Sequence, residues 1–256
     1  MDYFKLLMKA SPLPGLALIL ATALAAVTPV AFAQDYVVRK SGQKVEGKIV
    51  GTSGGSLKIE LAQGATTIPL ADVRELQMQP PAEFEAAAAQ LTRGDAKGAA
   101  AALQKINETF AGLSAPWFQR AAVLLGDAKL AAGDKEGAKA AYEQFAKANP
   151  SATGLANLGM ARLAIESGDQ AGAAKLLAPI LAQSAKTALP NPADGSSLCQ
   201  AHYLMGRIKE SEGDKPAALE NYLKASALFP FDQNAVADAT KRADTLRSEN
   251  PGLIAP

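Results

Sequence analysis

The chain has 256 residues, with 26 Lys plus Arg against 25 Asp plus Glu, one Cys and one His. Its near-zero net charge argues against a nucleic-acid-binding protein, because such proteins usually present a strongly basic surface. A disulfide framework needs at least two cysteines and a zinc site needs several Cys, His or carboxylate ligands, so neither is expected. Hydrophobic residues make up 48% of the chain but aromatic residues only 5%, which favours closely packed helices of small residues.

Residues 1–33 have the three parts of a secretory signal peptide. Lys5 and Lys9 supply the basic start, residues 16–27 form an uncharged apolar run, and an Ala-Phe-Ala tripeptide precedes Gln34. An uncleaved membrane anchor is the alternative, but the apolar run is shorter than the roughly 20 residues that span a bilayer. The sequence therefore predicts cleavage before Gln34 and export to the periplasm or cell envelope. No later stretch is long and apolar enough for a transmembrane span.

The segment 36–78 alternates apolar and polar residues with period two, which predicts four or five short strands. Ser41-Gly42, Ser53-Gly54-Gly55 and Gln63-Gly64 are turn signals between them. So small a set of strands can bury its apolar faces only by curling into a barrel or by packing on a neighbouring domain.

The stretch 38–76, VRKSGQKVEGKIVGTSGGSLKIELAQGATTIPLADVREL, resembles the small SH3-like and Sm-like β-barrels of exported bacterial proteins. The resemblance implies a β-barrel module over residues 34–79. Sm-like barrels often bind RNA or form rings, but this segment lacks the aromatic platform on which bases stack. A structural or self-associating role is therefore expected for the module, and no nucleic-acid partner is expected.

After residue 80 the pattern becomes helical and repeats. Gly-Asp pairs recur at Gly94, Gly133, Gly168 and Gly213, with spacings of 39, 35 and 45 residues. Small residues also recur on either side of each pair, five positions after the Gly and seven before it: Ala99, Ala138, Ala173 and Ala218, and Ala87, Gly126, Ala161 and Gly206. A left-handed Gly can end one helix and the next Asp can cap the following one. The pattern predicts four stacked helical hairpins.

The repeats resemble tetratricopeptide repeats (TPR). The second and fourth units match best, with Leu125-Gly126, Ala138, Tyr142 and Pro150, and with Met205-Gly206, Ala218, Tyr222, Ala225 and Pro230. The implied fold class is a multidomain α+β protein, in which a small N-terminal β-barrel precedes an all-α TPR-like solenoid of helical hairpins. The boundaries are 1–33 for the signal peptide, 34–79 for the β module, 80–231 for the hairpins and 232–256 for a capping helix and tail. Lys241, Arg242 and Arg247 of that helix are expected to face water.

Two segments exceed the regular repeat length. Residues 184–198 are expected to form a connecting loop, because Pro190, Pro192 and Gly195 should prevent a continuous helix. Trp117, in the first excess segment, is expected to be a packing residue, with a ligand platform as the alternative.

The TPR resemblance implies a groove, formed by the first helix of each unit, that binds extended or helical segments of partner proteins. The implied groove positions are Pro81, Phe84, Ala88, Leu91, Arg120, Val123, Asp127, Leu130, Leu155, Leu158, Arg162, Ile165, Gln200, Tyr203, Arg207 and Glu210. The residues selected for partner binding are Arg120, Asp127, Leu158, Arg162, Tyr203, Arg207 and Glu210. Arg162 and Arg207 occupy equivalent positions and are expected to hold a partner carboxylate together. Solvated side chains without a partner are the alternative.

The function expected from this resemblance is a protein-binding scaffold of the bacterial envelope, without cofactor or metal. The alternative is a structural component that self-assembles through the β module, so homo-oligomerisation stays open. An enzyme is not expected, because no carboxylate pair, metal set or triad stands out. Cys199 and His202 share a helical face, but packing is expected for both rather than nucleophilic catalysis.

Overall fold

The computed structural model describes residues 35–184, 186 and 190–256, and these residues form one compact unit. The predicted signal peptide lies outside the described residues. None of the helices in the described part is long and apolar enough to cross a membrane.

Within the described residues, six short strands precede the helices and form two three-stranded antiparallel sheets of order β2-β1-β6 and β3-β4-β5. The strands are β1 (Tyr36–Arg39), β2 (Lys44–Glu46), β3 (Lys48–Ser53), β4 (Ser56–Leu61), β5 (Gly64–Pro69) and β6 (Val73–Gln77). The period-two pattern is confirmed as strands. The expectation of a closed barrel is wrong, because no ladder among the described residues joins the two sheets.

Gly47 is the point where the chain leaves the first sheet for the second. A Cβ atom at Gly47 would stand 2.5 Å from the backbone oxygen of Glu60, so only glycine lets the chain pass this close. The Asp35 carboxylate accepts hydrogen bonds from the backbone N–H groups of Ile49 (3.2 Å) and Gln79 (3.1 Å). Asp35 thus links the start of β3 to the segment that follows β6.

The two sheets bury their apolar faces against the first helices. Leu57 and Ile59 belong to the same buried cluster as Phe84, Leu103 and Trp117. A shared core of this kind is the second way in which so small a set of strands can exclude water.

Nine helices follow in the described part of the chain. They are α1 (Ala82–Thr92), α2 (Ala96–Thr109), α3 (Pro116–Ala131), α4 (Lys135–Ala148), α5 (Thr153–Glu166), α6 (Gln170–Ser184), α7 (Pro192–Ser211), α8 (Lys215–Leu223) and α9 (Gln233–Glu249). Short 3-10 helices cover Leu70–Asp72 and Pro150–Ala152, and a π-helical turn covers Lys224–Leu228. The first eight α-helices pair as α1–α2, α3–α4, α5–α6 and α7–α8, which confirms the predicted helical hairpins.

The Gly-Asp pairs close these hairpins as the sequence predicts. The four glycines have φ angles of 87°, 83°, 82° and 82°, a left-handed conformation that side chains disfavour. Asp95, Asp134, Asp169 and Asp214 each accept a hydrogen bond from the backbone N–H three residues later, at 3.0, 2.9, 2.8 and 3.2 Å. Each pair therefore ends one helix and caps the next.

The predicted small residues mark the closest helix contacts. Cβ atoms at Gly126 and Gly206 would stand 2.3 Å from the ring of Tyr142 and 2.5 Å from the ring of Tyr222. Ala161 of the third unit is fully buried. In the second and fourth hairpins, the tyrosine of the second helix therefore packs directly against the backbone of the first helix.

The helix α7 begins earlier than the sequence predicts and runs through Gly195. Pro192 fits the first turn of a helix, and the Asn191 side chain accepts a hydrogen bond from the Asp194 N–H at 3.0 Å. Gly195 is buried under the ring of Phe231, where a Cβ atom would stand 2.4 Å from the ring. The expectation that Pro192 and Gly195 prevent a continuous helix is therefore wrong for residues 192–198.

Trp117 is a packing residue. Its ring is 9% exposed and lies 5.2 Å from the Phe110 ring centroid and 6.0 Å from that of Phe84. The predicted packing role is confirmed.

Candidate partner-binding groove

The helices α1, α3, α5, α7 and α9 contact one another in succession along the stack. The second helices of the hairpins instead contact the first helices on either side of them. The first helices therefore lie closer to one another than the second helices do. The side of the first helices that faces away from the second helices is the inner face of the stack. We call this face the groove.

The centre of the groove is held by the Arg162 guanidinium. Its Nη1 donates to Asp127 Oδ1 on α3, and its Nη2 donates to Gln200 Oε1 on α7. The Tyr142 hydroxyl on α4 donates to the same Asp127 oxygen at 2.6 Å. One arginine of α5 therefore joins the helices on both sides of it.

The same hydrogen-bonded series continues to the last helix. Gln200 Nε2 donates to Asp232 Oδ2 at 2.6 Å, and Asp232 Oδ1 accepts from the Ala235 N–H at 3.0 Å and so caps α9. We call Tyr142, Asp127, Arg162, Gln200 and Asp232 the polar ladder. It connects the second hairpin to α9 across the groove.

The surroundings of the polar ladder keep Tyr142 protonated and Arg162 charged. Burial raises the pKa of Tyr142 far above its ordinary range, and the Asp127 carboxylate adds to the rise. Burial alone would lower the pKa of Arg162, but the charge of Asp127 outweighs it, so the pKa is above its ordinary value. Tyr142 therefore remains a donor and Arg162 remains a cation at any physiological pH.

A second set of three residues repeats this arrangement farther along the stack. The Tyr222 hydroxyl on α8 donates to Glu210 Oε2 at 2.5 Å, and Arg242 Nη1 on α9 donates to the same oxygen at 2.9 Å. Burial raises the pKa of Tyr222, as it does for Tyr142. In both places a tyrosine of the second helix and an arginine of the next first helix share one acid. Arg242, which was expected to face water, is partly exposed and also pairs with Glu210.

The predicted partner-binding arginines already have acidic neighbours within the chain. Arg162 pairs with Asp127, while Arg207 Nη2 lies 3.9 Å from Glu166 Oε1 in a loose, partly exposed ion pair. The two guanidinium groups thus face separate acids, so a partner carboxylate would compete with both.

The other predicted site residues differ in their access to solvent. Leu158 and Phe84 are each 1% exposed and support the groove from beneath. Arg120 is exposed, lies 5.8 Å from the Phe84 ring centroid, and makes no ion pair with any described residue. Tyr203 is partly exposed and its hydroxyl lies 3.4 Å from Asp238 Oδ2. The implied apolar positions that remain partly exposed are Pro81, Ala88, Leu91, Val123, Leu130, Leu155 and Ile165.

Sequence reasoning missed Tyr142, Tyr222, Asp232 and Arg242 as site residues. A usable signal existed for the two tyrosines, since each lies nine positions after the Gly of its Gly-Asp pair. No comparable signal existed for Asp232 and Arg242, because they lie outside the repeats.

The Cys199 thiol and the His202 ring each bond to other residues and not to each other. The thiol is fully buried and contacts the backbone oxygen of Ala225 at 3.4 Å, and burial raises its pKa. The His202 ring nitrogens lie 3.0 Å from Asn221 Oδ1 and 3.1 Å from Ser184 Oγ. Both residues are packed in the core, as expected, and no cluster of three or more metal-ligating side chains occurs in the described part of the chain.

Comparisons with known proteins show a structural likeness to solved helical-repeat structures. No protein-family model and no curated protein matches the chain. One similar solved structure is a crystal structure of nearly identical TPR-like repeats, described as from a kinesin light chain of Podospora anserina. It is 17% identical, spans 68% of this chain and 98% of that chain, and has a TM-score of 0.41. A likeness at that TM-score carries no argument about function.

Proposed function

We propose that the protein is an exported scaffold of the bacterial envelope that binds a segment of a partner protein in the groove. The observation that carries the proposal is the continuous inner face, where partly exposed apolar side chains flank a connected polar ladder. Such a face offers apolar contacts together with fixed charges, the combination that specific protein interfaces use. A cavity for a small substrate is not needed for this role.

The polar ladder supports the proposal because it makes the groove rigid before binding. Arg162 and Gln200 tie successive first helices together, so a partner does not have to order them. The cations best placed to contact a partner are Arg120, which has no acid beside it in the described residues, and Arg207, whose pair with Glu166 is long. The partner segment is therefore expected to combine apolar side chains with an acidic group or a free C-terminus.

Site-specific photo-crosslinking tests the groove. A photoreactive residue at Arg120 lies on the groove, whereas the same residue at the exposed Lys139 on α4 lies on the outer side. In cells that produce the full chain, we expect a discrete crosslinked protein from position 120 and none from position 139. Equal crosslinking at both positions, or none at position 120, would overturn the proposed groove.

Export is tested separately by the intact mass of the protein recovered from the envelope fraction. We expect a chain that begins at Gln34, because the Ala-Phe-Ala tripeptide precedes it. A chain that keeps Met1 in the processed cellular pool would contradict the proposal.

The alternative role is a structural component that self-associates through its strands. It is favoured by one observation, the exposed outer edge of β2. This role does not exclude the groove, because the two surfaces lie on different elements.

A further inference from the structure

The strand β2 has an unpaired edge. It pairs with β1 on one side, and no strand in the described part of the chain pairs with its other side. The N–H of Arg39 donates to Gln43 O at 2.8 Å, and the N–H of Gly47 donates to Asp35 O at 3.1 Å. Because hydrogen-bonded pairs alternate in an antiparallel ladder, Gln43, Val45 and Gly47 turn their backbone groups toward β1. The backbone groups of Lys44 and Glu46 therefore point outward.

This edge is open to a further strand. Lys44 and Glu46 are exposed and pair with each other along the strand, with 2.6 Å from Nζ to Oε1, and Val45 is partly exposed. A cleft of about 490 Å³ lies between β2 and β5, with Val45, Leu61 and Ile68 among its lining residues. A strand laid beside β2 would gain backbone hydrogen bonds and apolar contact in the same place.

We infer that β2 pairs with β2 of a second copy of this chain, antiparallel about a twofold axis at Val45. In that register, Lys44 lies opposite Glu46 of the second copy, and Glu46 lies opposite Lys44 of the second copy. The outward backbone groups of these residues then form four hydrogen bonds across the axis. The opposite charges face each other at the same two pairs. The backbone alternation and the side-chain charges thus select the same register.

The charge pattern indicates that the strand beside β2 belongs to a second copy of the chain. The tripeptide Lys44-Val45-Glu46 is complementary to itself only when it is reversed, so a parallel pair would place lysine beside lysine and glutamate beside glutamate. Charged residues on a short edge strand commonly prevent sheet-to-sheet association. In β2 one positive and one negative residue flank Val45. The charges that disfavour pairing with other strands therefore favour pairing with an inverted β2 of a second copy.

The two edge strands of the second sheet, β3 and β5, lack this complementarity. The strand β5 carries no charged residue, and it ends at Pro69, which has no backbone N–H. Next to β3, the hydroxyl of Thr52 donates to the Ala111 backbone oxygen at 2.8 Å, so the loop after α2 covers that side. Of the edges at β2, β3 and β5, the edge of β2 is therefore the favoured contact.

The resulting assembly is an isologous dimer with one sheet that continues through the twofold axis. Its interface is small and charged, so dimerisation should depend on protein concentration and weaken with salt. Two copies would present two grooves and could bind a partner with two segments more tightly than one copy. The dimer itself does not depend on the proposed groove function.

The test uses the full chain, produced with its own N-terminal segment, and measures molar mass against protein concentration by sedimentation equilibrium. Wild-type protein is expected to pass from monomer to dimer as concentration rises. Lys44→Glu and Glu46→Lys each place like charges opposite each other, so each variant is expected to self-associate at least about tenfold more weakly. An equimolar mixture of the two variants restores opposite charges and should recover the dimer, as should the double variant K44E/E46K.

Several results would overturn the inference. They are a wild-type chain that stays monomeric at all concentrations, single variants that dimerise like the wild type, or a mixture that fails to recover the dimer. Loss of the dimer in Thr67→Pro but not in Lys44→Glu would assign association to β5 and also reject the β2 interface. Unchanged far-ultraviolet circular dichroism shows that the variants fold. Groove crosslinking from position 120, repeated in the monomeric variants, separates failure of the dimer from failure of the proposed function.

Discussion

The ring of Tyr142 lies so close to Gly159 that a Cβ atom on this glycine would stand 2.2 Å from the tyrosine Cε1. Gly126 of α3 lies on the same ring, where a Cβ atom would stand 2.3 Å from Cε1. The tyrosine of one hairpin is therefore held between its own first helix and the first helix of the next hairpin. The same side chain begins the polar ladder, so helix spacing and ladder geometry depend on each other.

Gly159→Ala should lower the free energy of unfolding by about 2 kcal/mol, because the added methyl group must displace the buried Tyr142 ring. Gly154→Ala is the matched control in the same helix, since its nearest neighbour is Ile180 at 4.0 Å. That control should be neutral, or stabilising by less than about 1 kcal/mol, because alanine favours helix. Urea denaturation measures both changes, and equal effects at the two positions would contradict the close contact.

Arg162→Met should destabilise the protein by about 2 to 3 kcal/mol, because it leaves Asp127 and Gln200 without their charged partner. Arg120→Met is the control, since Arg120 is exposed and has no ion pair among the described residues. Its effect should lie within about 0.5 kcal/mol. The comparison is made by denaturant unfolding, and an Arg162 variant as stable as the control would show that the ladder contributes no stability.

His202 should make stability fall as the pH drops. Burial lowers its pKa from the ordinary value of 6.5, with the Lys224 charge adding to the shift, while Asn221 and Glu220 oppose it. The unfolded chain then binds more protons than the folded chain between the two pKa values. This contribution to stability is complete above about pH 6.5 and declines as the pH falls through the folded-state pKa.

Because His202 is the only histidine, its imidazole signals in NMR spectra give the folded-state pKa directly. A folded-state value at or above 6.5 would contradict the shift toward the neutral form. The pH slope of the unfolding free energy in this window should be lost in His202→Gln, which cannot titrate.

Cys199 should react very slowly with thiol reagents while the protein is folded. Its side chain is fully buried, and burial raises the thiol pKa, so both access and thiolate content are low. As the only cysteine of the chain, it gives an unambiguous signal with a coloured disulfide reagent. The rate should rise to that of a free thiol in guanidinium, whereas rapid reaction of native protein would indicate an open core.

Gly51→Ala should loosen the contact between the strands and the helices. Gly51 has a φ angle of 148°, and a Cβ atom there would stand 2.8 Å from the backbone oxygen of Thr109. Gly42→Ala is the control, with a φ angle of 90° but no atom within 4 Å. We expect Gly51→Ala to cost about 1 kcal/mol more than the control, because only it adds a clash to the backbone strain.

The same variant tests whether the β module and the array of helices unfold separately. Trp117 is the only tryptophan and lies in the core that both parts share. In one cooperative unit, Gly51→Ala should shift the fluorescence and helical circular dichroism transitions together. Transitions that separate, with the helical one unchanged, would establish independent units.

The helical hairpins could be predicted because their determinants are local. Each Gly-Asp pair ends and begins a helix through bonds to residues three to five positions away. A sequence displays such rules directly, and the four Asp caps agree with them. The alternation that predicted the strands is equally local, since side chains of a strand point to opposite faces in turn.

The arrangement of the strands could not be predicted in the same way. Whether six strands form one closed barrel or two sheets depends on contacts between residues that are far apart in the chain. Asp35 bonds to the N–H of Gln79, a contact between residues 44 positions apart. Periodicity within a strand contains no information about such a partner.

The sequence by itself determined the repeat unit, its caps and the small residues that let helices approach. Only the tertiary structure decided what the groove residues do, placing Leu158 in the core and pairing Arg162 with Asp127 and Gln200. Those partners lie 35 and 38 residues from Arg162 along the chain. The physical reason is that local bonding specifies a helix, whereas the helix face that meets each neighbour follows from how whole helices pack.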